Sequence, residues 1–104
     1  MKYWFHDVGI VEQGKIIEVT LDQAANIRIM DEENYNNFKH RQSYSAIIYF
    51  ITTSPFKIKL PRTAHWFVVI DLEDQPGAIK SSVKVYQVKQ KPGGKAEAKE
   101  SKGE

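Results

Sequence analysis

The sequence predicts an all-β protein: a single antiparallel β-sandwich, jelly-roll-like, of about seven or eight strands with one short helix or helical turn in a long loop. Three observations support this fold class. Short segments alternate apolar and polar residues with a period of two, turn residues separate these segments, and one longer stretch at residues 31–44 follows neither pattern. The 104 residues, 41% hydrophobic and 12% aromatic, are enough to fill one core, which we expect within residues 1–88.

The first half of the chain contains three predicted strands. YWFHDVGI is the first, and the segments KIIEVTLD and AANIRIMD each place apolar side chains on one face and polar ones on the other, as half-buried strands do. The side chains expected to face inward are Ile17, Val19 and Leu21 in one strand and Ala25, Ile27 and Ile29 in the next. The short connection at residues 22–24 predicts that these two strands form a hairpin.

Two alternating strands are predicted in the second half. FKIKL sets Phe56, Ile58 and Leu60 inward and its lysines outward, and Pro55 and Pro61 flank it. Outward lysines and flanking prolines are typical of an edge strand, because both discourage pairing with a further strand. AIKSSVKV repeats the alternation after a QPG turn, which makes it the last predicted strand.

Two runs are apolar on both faces: SAIIYFIT at residues 45–52 and HWFVVIDL at residues 65–72. In the second run Trp66, Val68 and Ile70 lie on one face, while Phe67 and Val69 lie on the other. Only the ends of this run are polar. The pattern predicts a central strand, covered on its second face by a loop or helix, with Trp66 in the core.

The long segment at residues 31–44 contains the one candidate helix, DEENYNNFKHR. Asp31 can cap its start, and the acidic residues that follow favour the positive end of the helix dipole. Two interpretations of the segment remain: a lid that plugs one open end of the sandwich, or a recognition loop that presents its tyrosines. The candidate ligand- or partner-binding residues are Tyr35, Tyr44, Arg62 and His65, the last two as neighbours of the loop.

No catalytic or metal-binding pattern is present in the sequence. The chain has no cysteine, which excludes disulfides, thiolate zinc sites and cysteine nucleophiles. The three histidines, His6, His40 and His65, do not have metal-ligand spacing, whether alone or with Asp7 or Asp31. The serines lie outside any nucleophile elbow, and the glycines form no phosphate-binding loop. We therefore expect no cofactor, no metal and no enzymatic activity.

Charge distribution argues against nucleic acid as a partner. Of the 15 Lys and Arg and the 13 Asp and Glu, five lysines and three glutamates lie from Lys89 onward, which leaves ten of each sign in the body. Residues 89–104 are charged and lack large apolar residues, so they are expected to form a disordered tail. No apolar run is long enough for a membrane span and no export signal is evident, so a cytoplasmic location is expected.

The segments MKYWFHDVG, IIEVTLDQAANIRIMDEENYNNF, SPFKIKLP and HWFVVIDL resemble a small bacterial domain family of unknown function. The resemblance covers about residues 1–86. It implies a compact β-sandwich that occurs alone or at the amino end of proteins with a TIR domain. It implies no catalytic residues, and this chain has a short charged tail in place of a TIR domain.

The sequence thus favours a non-enzymatic binding or protein-interaction module of the bacterial cytoplasm, acting as a monomer or weak homodimer on an unidentified protein or small ligand. The alternative is a small-molecule or carbohydrate sensor domain, with a metal-dependent hydrolase as a remote third. A pocket lined by aromatic and convergent polar side chains would favour the sensor. A flat apolar patch or a symmetric contact along an edge strand would favour protein interaction.

Overall fold

Seven strands and one helix make up the computed structural model, which describes residues 2–73 and 75–87. In chain order they are β1 (Trp4–Val11), β2 (Ile16–Leu21), β3 (Ala25–Asp31), α1 (Glu32–Lys39), β4 (Ile47–Ile51), β5 (Phe56–Lys59), β6 (Ala64–Asp71) and β7 (Ser81–Tyr86). The predicted tail, residues 89–104, lies outside the described residues.

The strands form two antiparallel sheets that pack face to face. The first sheet has the order β1-β6-β3-β4, and the second has the order β5-β2-β7. This arrangement confirms the predicted sandwich of seven strands with one short helix. The predicted edge strand FKIKL is β5, at an edge of the second sheet, and the run HWFVVIDL is β6, an inner strand of the first sheet.

The main core lies between the two sheets, where the inward faces of the alternating strands meet. Burying one large aliphatic or aromatic side chain in this core stabilises the folded state by about 1.5–3 kcal/mol relative to leaving it exposed. Its buried members are Val11, Ile17, Val19, Leu21, Ala25, Ile27, Ile29, Ile51, Leu60, Trp66, Val68, Ile70, Leu72 and Ile79. Trp66 is buried as predicted, and its indole N–H donates to the carbonyl of Arg62 at 3.2 Å.

The hairpin predicted between β2 and β3 is wrong. The two strands belong to different sheets, so residues 22–24 carry the chain across the sandwich instead of turning it within one sheet. Each of the two strands has one strongly apolar face. Because the strands lie in opposite sheets, these two faces meet in the core and are buried together. After β2 the chain is held to the residue that precedes β7 by hydrogen bonds between Asp22 and Lys80.

Helix α1 has two turns and follows β3 directly. Asp31 caps it as predicted: its carboxylate accepts from the backbone N–H of Asn34 at 3.0 Å. The helix does not plug an end of the sandwich. It lies on the outer face of the first sheet, where Tyr35 packs with Met30, Phe67 and Val69 in a second buried cluster. This cover explains why β6 is apolar on both faces.

Candidate interaction surface

Tyr35, one of the predicted binding residues, is a packing residue in the structure. It is 4% exposed, and its ring stacks on Phe67 with centroids 4.2 Å apart. Burial, followed by a hydrogen bond with Tyr3, raises the pKa of Tyr35 to about 12. A ring held in this way offers little surface to a partner.

Tyr44 lies at the end of the loop after α1 and is half-buried. Its hydroxyl accepts a hydrogen bond from Nε of Arg28 at 3.2 Å, and its ring meets Phe38 edge to face. The same Arg28 forms an ion pair with Asp71, which is 0% exposed. Hydrogen bonds to Asp71 and Tyr44 raise the pKa of Arg28 despite the opposing effect of burial. Tyr44 therefore stabilises a partly buried arginine.

Arg62 lies beside the start of α1 and lines a cavity of about 200 Å³ with Trp66. Its guanidinium contacts the second oxygen of Asp31 at 2.5 Å and lies over the Trp66 ring at 5.1 Å. Burial alone would raise the pKa of Asp31, but hydrogen bonds from Asn34 and Arg62 lower it. Asn34 also accepts from the backbone N–H of Ser45 at 2.8 Å. The polar groups of this cavity thus bond with one another.

His65 lies at the start of β6, on the outer face of the first sheet. Its Nε2 is 2.6 Å from the Oδ1 of Asp7, and its ring stacks on Phe67 at 4.9 Å. The hydrogen bond with His65 lowers the pKa of the exposed Asp7 carboxylate. Neither His65 nor Asp7 lines the cavity beside Arg62.

A second cavity, of about 310 Å³, lies at the carboxyl end of α1. Tyr3, Phe38 and Tyr44 form its aromatic walls, and Lys39 and Arg41 supply positive charge. The Tyr44 hydroxyl already has a partner, because it accepts from Arg28. Tyr44 and Arg62 line separate cavities.

Two negative findings apply to residues 2–73 and 75–87. No three His, Asp or Glu side chains in these ranges are placed to hold a metal ion. No helix in the same part of the chain is long and apolar enough to cross a membrane.

The candidate residues do not include the exposed surface of β4. This strand pairs with β3 alone, so the backbone groups on its other side face outward from the sheet. Ile48 is 55% exposed and Phe50 is 62% exposed, and both lie on the outer face beside the region that α1 covers. Tyr49, on the inner face, is also exposed. An open edge therefore carries apolar side chains on both faces.

The other three edge strands carry features that oppose pairing. In β5 the exposed Lys57 and Lys59 flank Ile58, and in β7 Lys84 is exposed. In β1 the register shifts between Asp7 and Gly9, where Gly9 adopts a φ of 82° that suits glycine. Among the strands of the described residues, β4 is the edge strand without a charge, a proline or a bulge.

A sequence signal for this edge existed in the run SAIIYFIT. A strand that is apolar on both faces is either covered twice or exposed somewhere, and pattern alone does not distinguish the two. The run HWFVVIDL gave the same signal and is covered. Only the pairing order shows that β4 is outermost.

Searches for similar curated proteins and for similar solved structures each gave no significant match. A family comparison did give one. Residues 1–89, which include all seven strands and the helix, match a family described as a domain of unknown function, DUF1883, and the chain therefore belongs to that family.

Proposed function

We propose that the domain is a non-enzymatic protein-interaction module that binds an extended, uncharged strand at the free edge of β4. One observation carries the proposal: β4 is an unguarded edge with Ile48 and Phe50 exposed, whereas β1, β5 and β7 each have a protective feature. Natural sheets protect edges that must stay free, because an open edge is a template for another strand.

Strand addition fits the chemistry of this surface. The outward backbone groups of β4 supply hydrogen bonds to any extended segment, and the exposed side chains at positions 48 and 50 select apolar neighbours. Arg28 lies opposite Ile48 on β3, and its charge is paired with that of Asp71. The preferred partner strand is therefore apolar and without charge.

The cavities give less support to a small-molecule or carbohydrate sensor. Their polar atoms are mostly engaged within the protein, as in the contacts of Asp31 with Arg62 and Asn34. A ligand would have to displace these bonds before forming its own, which costs free energy. The edge of β4 needs no such displacement.

We also propose where the module acts in the cell. We place the module in the bacterial cytoplasm, as the resemblance to domains that accompany TIR domains implies. A small sandwich with one adhesive edge suits the joining of two larger proteins, or of two copies of one protein. The strand partner, and not a reaction, then defines its role.

A labelled peptide tests the proposal directly. The probe is a fluorescent peptide with the sequence of residues 45–52, SAIIYFIT, extended by two lysines for solubility, and the readout is fluorescence anisotropy against the full chain. We expect saturable binding that weakens at least about tenfold, or about 1.4 kcal/mol, in Ile48→Lys/Phe50→Lys.

Ile10→Lys is the matched control. Ile10 is 78% exposed on β1, at the opposite edge of the same sheet, so Ile10→Lys places one added positive charge on an exposed isoleucine away from β4. It should leave the affinity unchanged. Equal binding by all three proteins, or no saturable binding by the wild type, would exclude the β4 edge as the binding surface.

A further inference from the structure

We infer that the strand bound at β4 is β4 of a second copy of this chain, so that two first sheets join into one sheet of eight strands. This inference rests on the proposed function and names its partner. The observations that carry it are the order of residues within β4, the absence of charge along it, and the protection of the other edges.

The sequence of β4, Ile47–Ile51, is IIYFI, which reads nearly the same in both directions. Antiparallel pairing about a twofold axis through Tyr49 places Ile47 opposite Ile51 of the copy and Ile48 opposite Phe50 of the copy. Residues opposite each other then share a face, as antiparallel strands require. This register pairs all five residues of the strand.

The side chains that meet in this register are compatible. The contact between Ile48 and Phe50 of the copy occurs twice, and aliphatic–aromatic pairs across strands contribute about 0.2–1 kcal/mol each. Both residues are exposed in the single chain, so pairing removes apolar surface from water. No like charges are brought together, because β4 contains none.

Pairing of β4 with itself also closes the assembly at two copies. A twofold contact uses the same surface on both chains and leaves no second copy of that surface free. The lysines of β5 and β7 and the bulge of β1 oppose pairing at the remaining edges. A dimer is therefore the expected end point, whereas an unprotected second edge would permit open-ended growth.

The carboxyl-terminal segment of the same chain is the competing occupant. From Lys89 onward the sequence has five lysines, three glutamates and no large apolar residue. Such a segment has nothing to place against Ile48 and Phe50. A truncation after Gln87 should therefore leave the association state unchanged.

Sedimentation equilibrium of the full chain tests the inference. We expect reversible association from 12.0 kDa to twice that mass as the concentration rises towards about 1 mM, since an interface of one strand pair is small and weak. Ile48→Lys/Phe50→Lys should raise the dimer dissociation constant at least about tenfold. Ile10→Lys should leave it unchanged.

A charge-pair variant tests the register. In Ile48→Lys/Phe50→Glu each lysine would lie opposite a glutamate of the copy, whereas a register shifted by two residues would oppose like charges at position 48 or position 50. We expect this variant to dimerise about fivefold more tightly than Ile48→Lys/Phe50→Lys, and to lose that advantage at high salt. Circular dichroism and thermal melting establish that each variant is folded.

The outcomes separate this inference from the function on which it rests. If the chain binds the peptide but stays at monomer mass up to about 1 mM, the inference of a dimer is wrong and the proposed strand-binding edge stands. A dimer that survives Ile48→Lys/Phe50→Lys, or that appears only after truncation at Gln87, also overturns the inference. If the wild-type chain neither binds the peptide nor dimerises, both proposals are wrong.

Discussion

Strands β4 and β5 lie on the same side of the sandwich, yet their edges are built in opposite ways. They follow each other in sequence and close the two sheets at neighbouring edges, with the rings of Tyr49 and Phe56 4.9 Å apart. Strand β5 has exposed lysines at alternate positions and prolines before and after it. Strand β4 has five apolar residues and none of these features.

The difference shows that protection against strand pairing is assigned edge by edge and not to the protein as a whole. Two neighbouring edges share the same solvent and the same connection, so a general need for solubility would have affected both. Lysine at an outward position costs a strand little, because its stem can lie along the sheet while its charge stays in water. The lack of such residues on β4 is consistent with an edge that is used.

The largest expected effect tests whether stability comes from the interior and not from the open edge. Trp66→Ala should lower the free energy of unfolding by about 3–5 kcal/mol, because it empties a buried site in the main core. Phe50→Ala should change it by less than about 0.5 kcal/mol in dilute, monomeric protein. Chemical denaturation measures both, and a large loss for Phe50→Ala would mean that β4 is covered.

The next effect concerns the protected edge. Lys57→Ile/Lys59→Ile removes both outward charges of β5, and Glu18 keeps Lys84 opposite it on β7. A second open edge should then add contacts beyond the dimer, with association about tenfold tighter than in the wild type. Sedimentation velocity should reveal species larger than dimers. If the variant behaves as the wild type does, these lysines are not what keeps β5 unpaired.

The smallest effect tests the far side of the sandwich, where β1 and β7 meet. His6 bonds the Ser81 hydroxyl at 2.8 Å, and burial lowers the pKa of His6 from 6.5. The folded state then binds fewer protons than the unfolded state, so stability present above pH 6.5 decreases as the pH falls through that value.

His6→Gln should flatten this decrease, as measured by melting temperature between pH 7 and pH 5. An unchanged profile in His6→Gln would show that His6 does not link pH to the closure of this side.

The sequence predicted the strands well because their burial is local in origin. A period of two in KIIEVTLD or FKIKL follows from one face packing and the other meeting water, and the Asp31 cap follows from one side chain and one helix start. Which strands share a sheet is a non-local property. Nothing between residues 16 and 31 distinguishes a hairpin from a crossing between sheets, and that prediction was wrong.

The roles of the candidate residues also depend on contacts between parts of the chain that are distant in sequence. Tyrosine suits both interfaces and cores, so the sequence does not show which role Tyr35 and Tyr44 have; their surroundings decide it. In the structure Tyr35 stacks on Phe67, and the Tyr44 hydroxyl accepts a hydrogen bond from Arg28. The sequence does not indicate that Ile48 and Phe50 are exposed, because an apolar residue in a strand is usually buried. Their exposure depends on β4 being last in its sheet.

The position of β6 also determines when the first sheet can form during synthesis. Within that sheet β1 pairs with β6 alone, and Trp4 lies opposite Ile70. The amino-terminal strand therefore has no neighbour until the ribosome has released almost the whole domain. Contacts this distant in sequence slow folding, because a long loop must close before they contribute any stability. Strand β4 leaves the ribosome before β6, so its apolar residues are present in the nascent chain before the first sheet is complete.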